Sequence, residues 1–148
     1  MTRRIVTGHD GAGRPAILHD GPAPNVRTRP ASGLVSTLLW VTDETPAAIS
    51  GAADRAAREI GIPPPRNGSI FRVVDFPPGA KGEMHRTRSV DYAVVLEGEL
   101  DMLLAGSEVH LRAGDVLVQQ GTNHGWINRG TKNCRVAFVL IDAMEVAA

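Results

Sequence analysis

Short runs of apolar and β-branched residues recur along the second half of the chain, and glycine, proline and asparagine separate them. This pattern is typical of short strands joined by tight turns. The stretches between the runs are too short for the helices that parallel crossovers need. The pattern therefore favours a closed all-β barrel or jelly roll. The predicted strands cover residues 70–76, 83–87, 92–97, 100–104, 108–111, 116–119, 125–128 and 135–141.

The first part of the chain has a different pattern. Residues 1–33 are rich in Gly, Pro and Asn and predict an extended arm with one short strand near residues 15–18. Residues 34–41 (LVSTLLWV) are dense in β-branched and bulky side chains, which favours a strand. We expect an arm over residues 1–33 and a barrel over residues 34–148.

Residues 42–67 interrupt the predicted barrel as a loop or short helical insertion. The stretch 52–60 (AADRAAREI) has a helix-forming composition, while Gly51 and the prolines at 63–65 limit a helix to a few turns. Its apolar residues fall on one helical face, which favours packing against the barrel over a role as a lid. These residues are Ile49, Ala53, Ala56 and Ile60.

Composition and charge narrow the class of protein. A chain of 148 residues with 43% hydrophobic content suits one folded domain. Its 16 basic and 16 acidic residues cancel, so it lacks the positive field of nucleic-acid-binding proteins, and no nucleic acid is expected as a partner. We see no secretory signal and no apolar run long enough to span a membrane, which predicts a cytoplasmic protein without a membrane partner. The single cysteine, Cys134, excludes an internal disulfide.

Two stretches contain the candidate chemistry. Residues 79–98 read GAKGEMHRTRSVDYAVVLEG, and residues 114–128 read GDVLVQQGTNHGWIN. They resemble the two signature motifs of the cupin superfamily, G-x5-H-x-H-x3,4-E-x6-G and G-x5-P-x-G-x2-H-x3-N. The matching residues of the first motif are Gly79, His85, Asp91 and Gly98. Those of the second, with one residue fewer between the two glycines, are Gly114, Gly121, His124 and Asn128.

The resemblance implies an all-β, cupin-type double-stranded β-helix (a jelly-roll barrel) with an extended N-terminal arm and a short helical insertion. It also implies one divalent metal ion per chain, with Fe, Zn, Mn or Ni as candidates. Thr87 stands where the family has its second histidine, and Asp91 replaces the family's glutamate. The ligands carried over are therefore His85, Asp91 and His124. Such a set leaves coordination positions open, as a catalytic metal requires, and it is typical of non-haem Fe(II) sites and of some zinc enzymes.

Further residues are candidate substrate contacts. Alternate residues of a strand point to the same side, so Thr87 is expected beside His85, and Trp126 beside His124. Trp126 then either walls the pocket or packs in the core. Gln119 either binds substrate or metal-bound water at the pocket floor, or satisfies backbone groups at a turn.

Arg72 is a separate case. It is in phase with Ile70 and Val74 on its strand. If that face is the barrel interior, Arg72 is a buried cation available to a carboxylate substrate; otherwise it is an ordinary surface arginine. The Pro77-Pro78-Gly79 bend prevents the phase from being carried across from the next strand, so both alternatives stay open.

The function predicted from these residues is that of a metal-dependent enzyme on a small keto, hydroxy or carboxylate compound. The ligand set favours Fe(II)-type dioxygenase chemistry slightly, and decarboxylase, dehydratase and isomerase reactions are the other classes that the resemblance implies. The alternative is a non-catalytic binding module with a degenerate metal site. We also expect a homodimer, with the arm 1–33 exchanged onto the partner's sheet.

Overall fold

The computed structural model describes residues 1–49 and 51–145. Their secondary structure consists of strands, and the described part of the chain contains no helix. The strands are β1 (Arg3–His9), β2 (Pro15–Pro22), β3 (Asn25–Thr28), β4 (Val35–Thr42), β5 (Ser69–Phe76), β6 (Ser89–Glu97), β7 (Glu99–Leu104), β8 (Ser107–Arg112), β9 (Val116–Gln120), β10 (His124–Ile127) and β11 (Cys134–Asp142).

The strands form two sheets that share one core, and a separate hairpin. The larger sheet has the order β3-β4-β5-β11-β6-β9, and the smaller has the order β10-β7-β8. Buried residues of both sheets, such as Phe138 of the larger and Leu100 of the smaller, belong to one hydrophobic cluster. This is the jelly-roll arrangement that the strand pattern predicted.

The arm contains more regular structure than its composition predicts. β1 and β2 pair antiparallel as a hairpin of their own, and β3 adds to the edge of the larger sheet beside β4. The hairpin also contacts its own barrel, since Arg4 forms an ion pair with Asp54 at 2.6 Å and donates to the Leu39 carbonyl at 3.1 Å. Exchange of the arm between two copies stays a prediction.

The predicted helix at 52–60 is wrong. Asn25 Nδ2 donates to the carbonyls of Ala56 and Arg58 at 2.8 and 2.7 Å, so these groups are engaged outside any helical ladder. The Asp54 carboxylate accepts from the Ala56 amide at 2.9 Å, a local turn that competes with a helix. Ala56 is fully buried as expected, but Ile49 is 86% exposed. Ser50, within the predicted insertion, and residues 146–148, at the end of the predicted barrel, lie outside the described residues.

The predicted strand at 83–87 is also replaced by a different structure. Residues 79–85 run antiparallel to β10 but pair with it only through two isolated bridges, Lys81 with Ile127 and His85 with His124. This segment extends the smaller sheet past β10 and places His85 beside His124. The first motif histidine therefore lies on an irregular segment and not within a regular strand.

Candidate functional site

Buried polar side chains collect at one end of the barrel. On β6 the inward residues Ser89 and Asp91 are 1% and 6% exposed. The next residue, Tyr92, points outward and is 49% exposed. Strand alternation explains this pattern. Gln119 at the end of β9 and His124 at the start of β10 are buried beside them.

The two motif histidines are held together by their own backbones. The His85 amide donates to the His124 carbonyl at 2.8 Å, and the His124 amide donates to the His85 carbonyl at 2.9 Å. Their ring centroids lie 4.4 Å apart. One backbone bridge thus sets both imidazoles side by side.

Each imidazole also has a backbone carbonyl at its Nδ1 atom. His85 Nδ1 lies 3.0 Å from the Glu83 carbonyl, and His124 Nδ1 lies 2.8 Å from that of Thr122. A carbonyl oxygen only accepts, so Nδ1 is assigned the proton in both rings and Nε2 is unprotonated. Burial lowers the pKa of His124, and nearby His85 lowers this pKa further, against the opposing hydrogen bond to Thr122. The arrangement favours the neutral ring that a metal ion requires.

Asp91 has hydrogen-bond donors on both carboxylate oxygens. Ser89 Oγ donates to Oδ1 at 2.5 Å, and Gln119 Nε2 donates to Oδ2 at 2.8 Å. The same Gln119 nitrogen lies 3.4 Å from His124 Nε2, and Thr122 donates to the other end of the Gln119 amide at 3.0 Å. The Gln119 amide therefore lies between the carboxylate and the imidazole.

The fit to a divalent ion differs between the ligands of the predicted set. His85 and His124 fit, because both present an unprotonated Nε2 atom and have the second hydrogen bond that orients metal-ligating histidines. Asp91 is oriented by Ser89, as ligating carboxylates commonly are, but its other oxygen faces Gln119. Within residues 1–49 and 51–145, no group of three or more His, Cys, Asp or Glu side chains is arranged to hold a metal ion. The three-residue set stays a prediction.

Two cavities that share lining residues lie at this end of the barrel. The inner one has a volume of about 110 Å³ and the outer one about 730 Å³. His85, Arg72 and Trp126 line both, so they lie where the two cavities meet. The inner cavity is otherwise mainly apolar, with side chains that include Val74, Phe76, Phe138 and Leu140.

Arg72 points inward, which resolves the alternative that its strand phase left open. It is 8% exposed, and its Nη2 atom donates to the Gly61 carbonyl at 2.9 Å. Burial lowers the pKa of Arg72 to about 10; the nearby charge of Arg29 lowers this pKa further, and Asp91 opposes the shift. Arg72 is therefore a buried cation at neutral pH.

The structure brings the candidate residues into one region. The inner cavity is lined by His85, Thr87, Asp91, His124, Arg72 and Trp126. Gln119 is not among the lining residues of this cavity, but it donates a hydrogen bond to Asp91, which is one of them. Sequence reasoning missed Ser89 and Arg29. Alternation on β6 could have found Ser89, two residues before Asp91, whereas Arg29 comes from the arm and carries no local signal.

Comparison with known proteins gives the family. A profile described as the cupin domain matches residues 72–141. The "Cupin-domain-containing oxidoreductase fogC" of Aspergillus ruber is 39% identical over 150 aligned residues, which cover 97% of this chain and 73% of that protein. The chain belongs to the cupin superfamily. Another cupin-domain-containing oxidoreductase, srdD of Neurospora crassa, is 35% identical over 97% of this chain and 76% of its own length.

Solved structures support the same fold. The cupin domain of Schizosaccharomyces pombe Cnp3 superposes with a TM-score of 0.60 over 96% of this cupin and 88% of that chain, at 12% identity. A Cupin 2 conserved barrel domain protein from Salinispora arenicola gives 0.55 over 80% and 82%, at 17% identity. At these identities the likeness concerns the fold alone.

The relatives also bear on the prediction of an enzyme. Three cupin-domain-containing oxidoreductases are 32–39% identical to this chain over nearly all of its length. The prediction of an enzyme is thereby confirmed. Among the described residues, no helix has the length and apolar character needed to cross a bilayer. The cytoplasmic location stays a prediction.

Proposed function

We propose that this cupin is a metal-dependent oxidoreductase that converts a small oxygenated organic molecule in the inner cavity. The observation that supports this best is the pair of adjacent imidazoles, His85 and His124, which both line the inner cavity and have an unprotonated Nε2 atom. Neutral imidazoles suit Fe, Zn and Ni ions. The oxidoreductase relatives favour a redox-active ion, and Fe(II) is our first candidate.

His85 and His124 would hold the ion, and Asp91 would supply the third ligand and a negative charge. When bound, such an ion would polarise a keto, hydroxy or carboxylate oxygen, and a redox-active ion would also supply one-electron and O2 chemistry. The chain's own residues set the conditions for this chemistry. The carbonyls of Glu83 and Thr122 keep the Nδ1 protons in place, so both rings present Nε2 to the cavity.

The surrounding side chains orient the carboxylate and form one wall of the cavity. Ser89 and Gln119 hold Asp91 through its two oxygens. Trp126 packs edge-on against both His124 and Phe138, with ring centroids 5.5 and 5.7 Å apart. This aromatic wall would exclude solvent and contact the apolar part of a substrate.

Two observations favour a second function, that of a non-catalytic binding module. Thr87 occupies the place of the family's second histidine, and a neutral hydroxyl is a weak ligand. Gln119 also pairs with Asp91, which would weaken the carboxylate as a ligand. A cupin of this kind would bind the same small molecule without turning it over.

Metal analysis of protein purified without an affinity tag tests the proposal. We expect about one divalent ion per chain in the wild type and a large loss in His85→Ala and in His124→Ala. His110→Ala is the matched control, because His110 lies on β8 with an exposed side chain paired to Asp101 at 2.6 Å. Equal metal content in all four proteins would remove the site. Where metal is bound, oxygen uptake with candidate substrates supports the enzyme, and binding without turnover supports the module.

A further inference from the structure

We propose that Arg72 binds a negatively charged group of the ligand, most simply a carboxylate, at the junction of the two cavities. The inference deepens the proposed function, since it assigns the chemical class of the molecule that the same site accepts. It depends on the placement of one buried guanidinium and on the charges around it.

Arg72 has unused hydrogen-bonding capacity in a buried position. It lies on β5 between Ile70 and the end of the strand at Phe76, and 92% of its surface is covered, since it is 8% exposed. Nη2 donates to the Gly61 carbonyl, but the buried Nε atom has no hydrogen-bond partner among the described residues. A buried N–H without an acceptor costs free energy, and a charged one costs more. A ligand oxygen at Nε would remove that cost.

The charges near Arg72 leave this region short of anions. Asp91 is close enough to stabilise the cation electrostatically, but its hydrogen bonds come from Ser89 and Gln119. Arg29 is a second cation that lines both cavities. The lining of the inner cavity therefore contains two guanidiniums and one carboxylate before any metal ion is counted, and an anionic ligand group would restore the balance.

The cavity walls indicate the rest of the ligand. Arg72 lines both cavities, and around it lie the apolar side chains of Phe76, Trp126, Phe138 and Ile62. A planar guanidinium matches the two oxygens of a carboxylate, which makes it more selective for this group than an ammonium would be. The site fits a small molecule with an apolar body and one carboxylate.

Benzoate is a suitable probe, and benzamide is its neutral isostere. Binding would be measured by isothermal titration calorimetry, with the full chain both as purified and after chelation of metal. The variants are Arg72→Met, Arg72→Lys and, as a matched control, Arg112→Met. Arg112 is an exposed arginine of β8 in a surface ion pair with Glu99, outside both cavities.

We expect wild type to bind benzoate at least about tenfold more tightly than benzamide. A hydrogen bond to a charged group contributes enough free energy for a ratio of affinities of this size. Arg72→Met should weaken benzoate binding about 10- to 100-fold. Arg72→Lys should recover part of the affinity, since it keeps the charge and loses the planar geometry, and Arg112→Met should match wild type. Unchanged benzoate affinity in Arg72→Met, or equal binding of benzamide, would overturn the inference.

Thermal unfolding of the ligand-free variants separates binding from a structural role. If Arg72 serves the ligand, Arg72→Met should unfold at the same temperature as wild type or higher, because it removes a buried charge without enough partners. If Arg72 serves only to hold the Gly61 carbonyl by its hydrogen bond, Arg72→Met should have a lower melting temperature and an unchanged affinity for benzoate. That pair of results contradicts the inference.

The chelated protein separates this inference from the proposed function. Benzoate binding that needs Arg72 in a protein without a metal ion supports the inference while the proposed metal chemistry fails. Benzoate binding that disappears on chelation and is equal in wild type and Arg72→Met shows that the carboxylate binds the ion. In that case the inference fails and the proposed function remains.

Discussion

The two ends of the barrel are made from the same strands but have opposite interiors. Along β6 the inward residues change from Ser89 and Asp91 at one end to Ala93 and Val95 at the other, and all four are buried. Along β11, the neighbour of β6 in the same sheet, the inward residues remain apolar throughout, with the 0% exposed thiol of Cys134 at the apolar end. The polar end contains the site, and the apolar end contains the core.

This difference separates what stabilises the fold from what makes the site. At the apolar end, burial itself is favourable, and its exclusion of water raises the pKa of the Cys134 thiol to about 11, with Asp75 adding to the shift. At the polar end, burial is costly unless each group has a partner. Ser89, Asp91 and Gln119 meet that cost with hydrogen bonds among themselves, whereas Arg72 does not meet it in full.

Removing a core side chain at the apolar end should have the largest effect on stability. Leu100 is 1% exposed, so Leu100→Ala should lower the free energy of unfolding by about 3 kcal/mol through lost burial and a cavity. Urea denaturation measures this, and Leu96→Ala, at an exposed leucine of β6, is the control. A loss as small as that of the control would show that the apolar end is not the main source of stability.

Removing a hydrogen bond at the polar end should have a smaller effect. Gln119→Met keeps the approximate volume but leaves Asp91 Oδ2 without its donor, which should lower the free energy of unfolding by about 1–3 kcal/mol. The same urea experiment applies, with Gln120→Met at the exposed neighbouring position as the control. Identical stability of the two variants would mean that Asp91 finds another partner or regains contact with water.

The smallest effect is expected outside both ends, at His110 on the surface of β8. The hydrogen bond to Asp101 raises the pKa of His110 against the opposing effect of burial, and the charges of Asp101 and Glu99 add to the rise. The protonated ring therefore stabilises the fold below the unfolded-state pKa of about 6.5, and this contribution disappears as the pH rises through the raised pKa.

The melting temperature of His110→Gln should accordingly fall below that of wild type at acidic pH and approach it at alkaline pH. His9→Gln, at an exposed residue of β1, serves as the control. A difference between wild type and His110→Gln that grows with rising pH would contradict the assigned direction.

The sequence predicted much of the barrel because the barrel depends on local patterns. Apolar alternation and turn residues placed eight of the nine main predicted strands, and the two histidines followed from motif spacing. The ninth, at 83–87, contains the right residues for a strand, but its backbone groups pair with β10 only at single bridges. Likewise, residues 52–60 have helical propensity that the long-range hydrogen bonds of Asn25 override.

Side-chain partners inside the site were beyond local reasoning. The pairing of Gln119 with Asp91 joins residues 28 positions apart, and only the antiparallel register of β6 and β9 sets them opposite each other. The direction of Arg72 depended on a strand phase that the proline bend interrupts. Such contacts follow from register and not from composition, which is why single-sequence reasoning left them open.

The bridge between His85 and His124 has a consequence for how the site comes into being. Its two backbone hydrogen bonds join parts of the chain that are distant in sequence, so the imidazoles become neighbours only once the sheet has closed at that point. A partly folded chain would hold both histidines but not their shared arrangement. A metal ion would then bind only chains whose barrel has closed. Its binding would therefore stabilise the closed barrel over partly folded states.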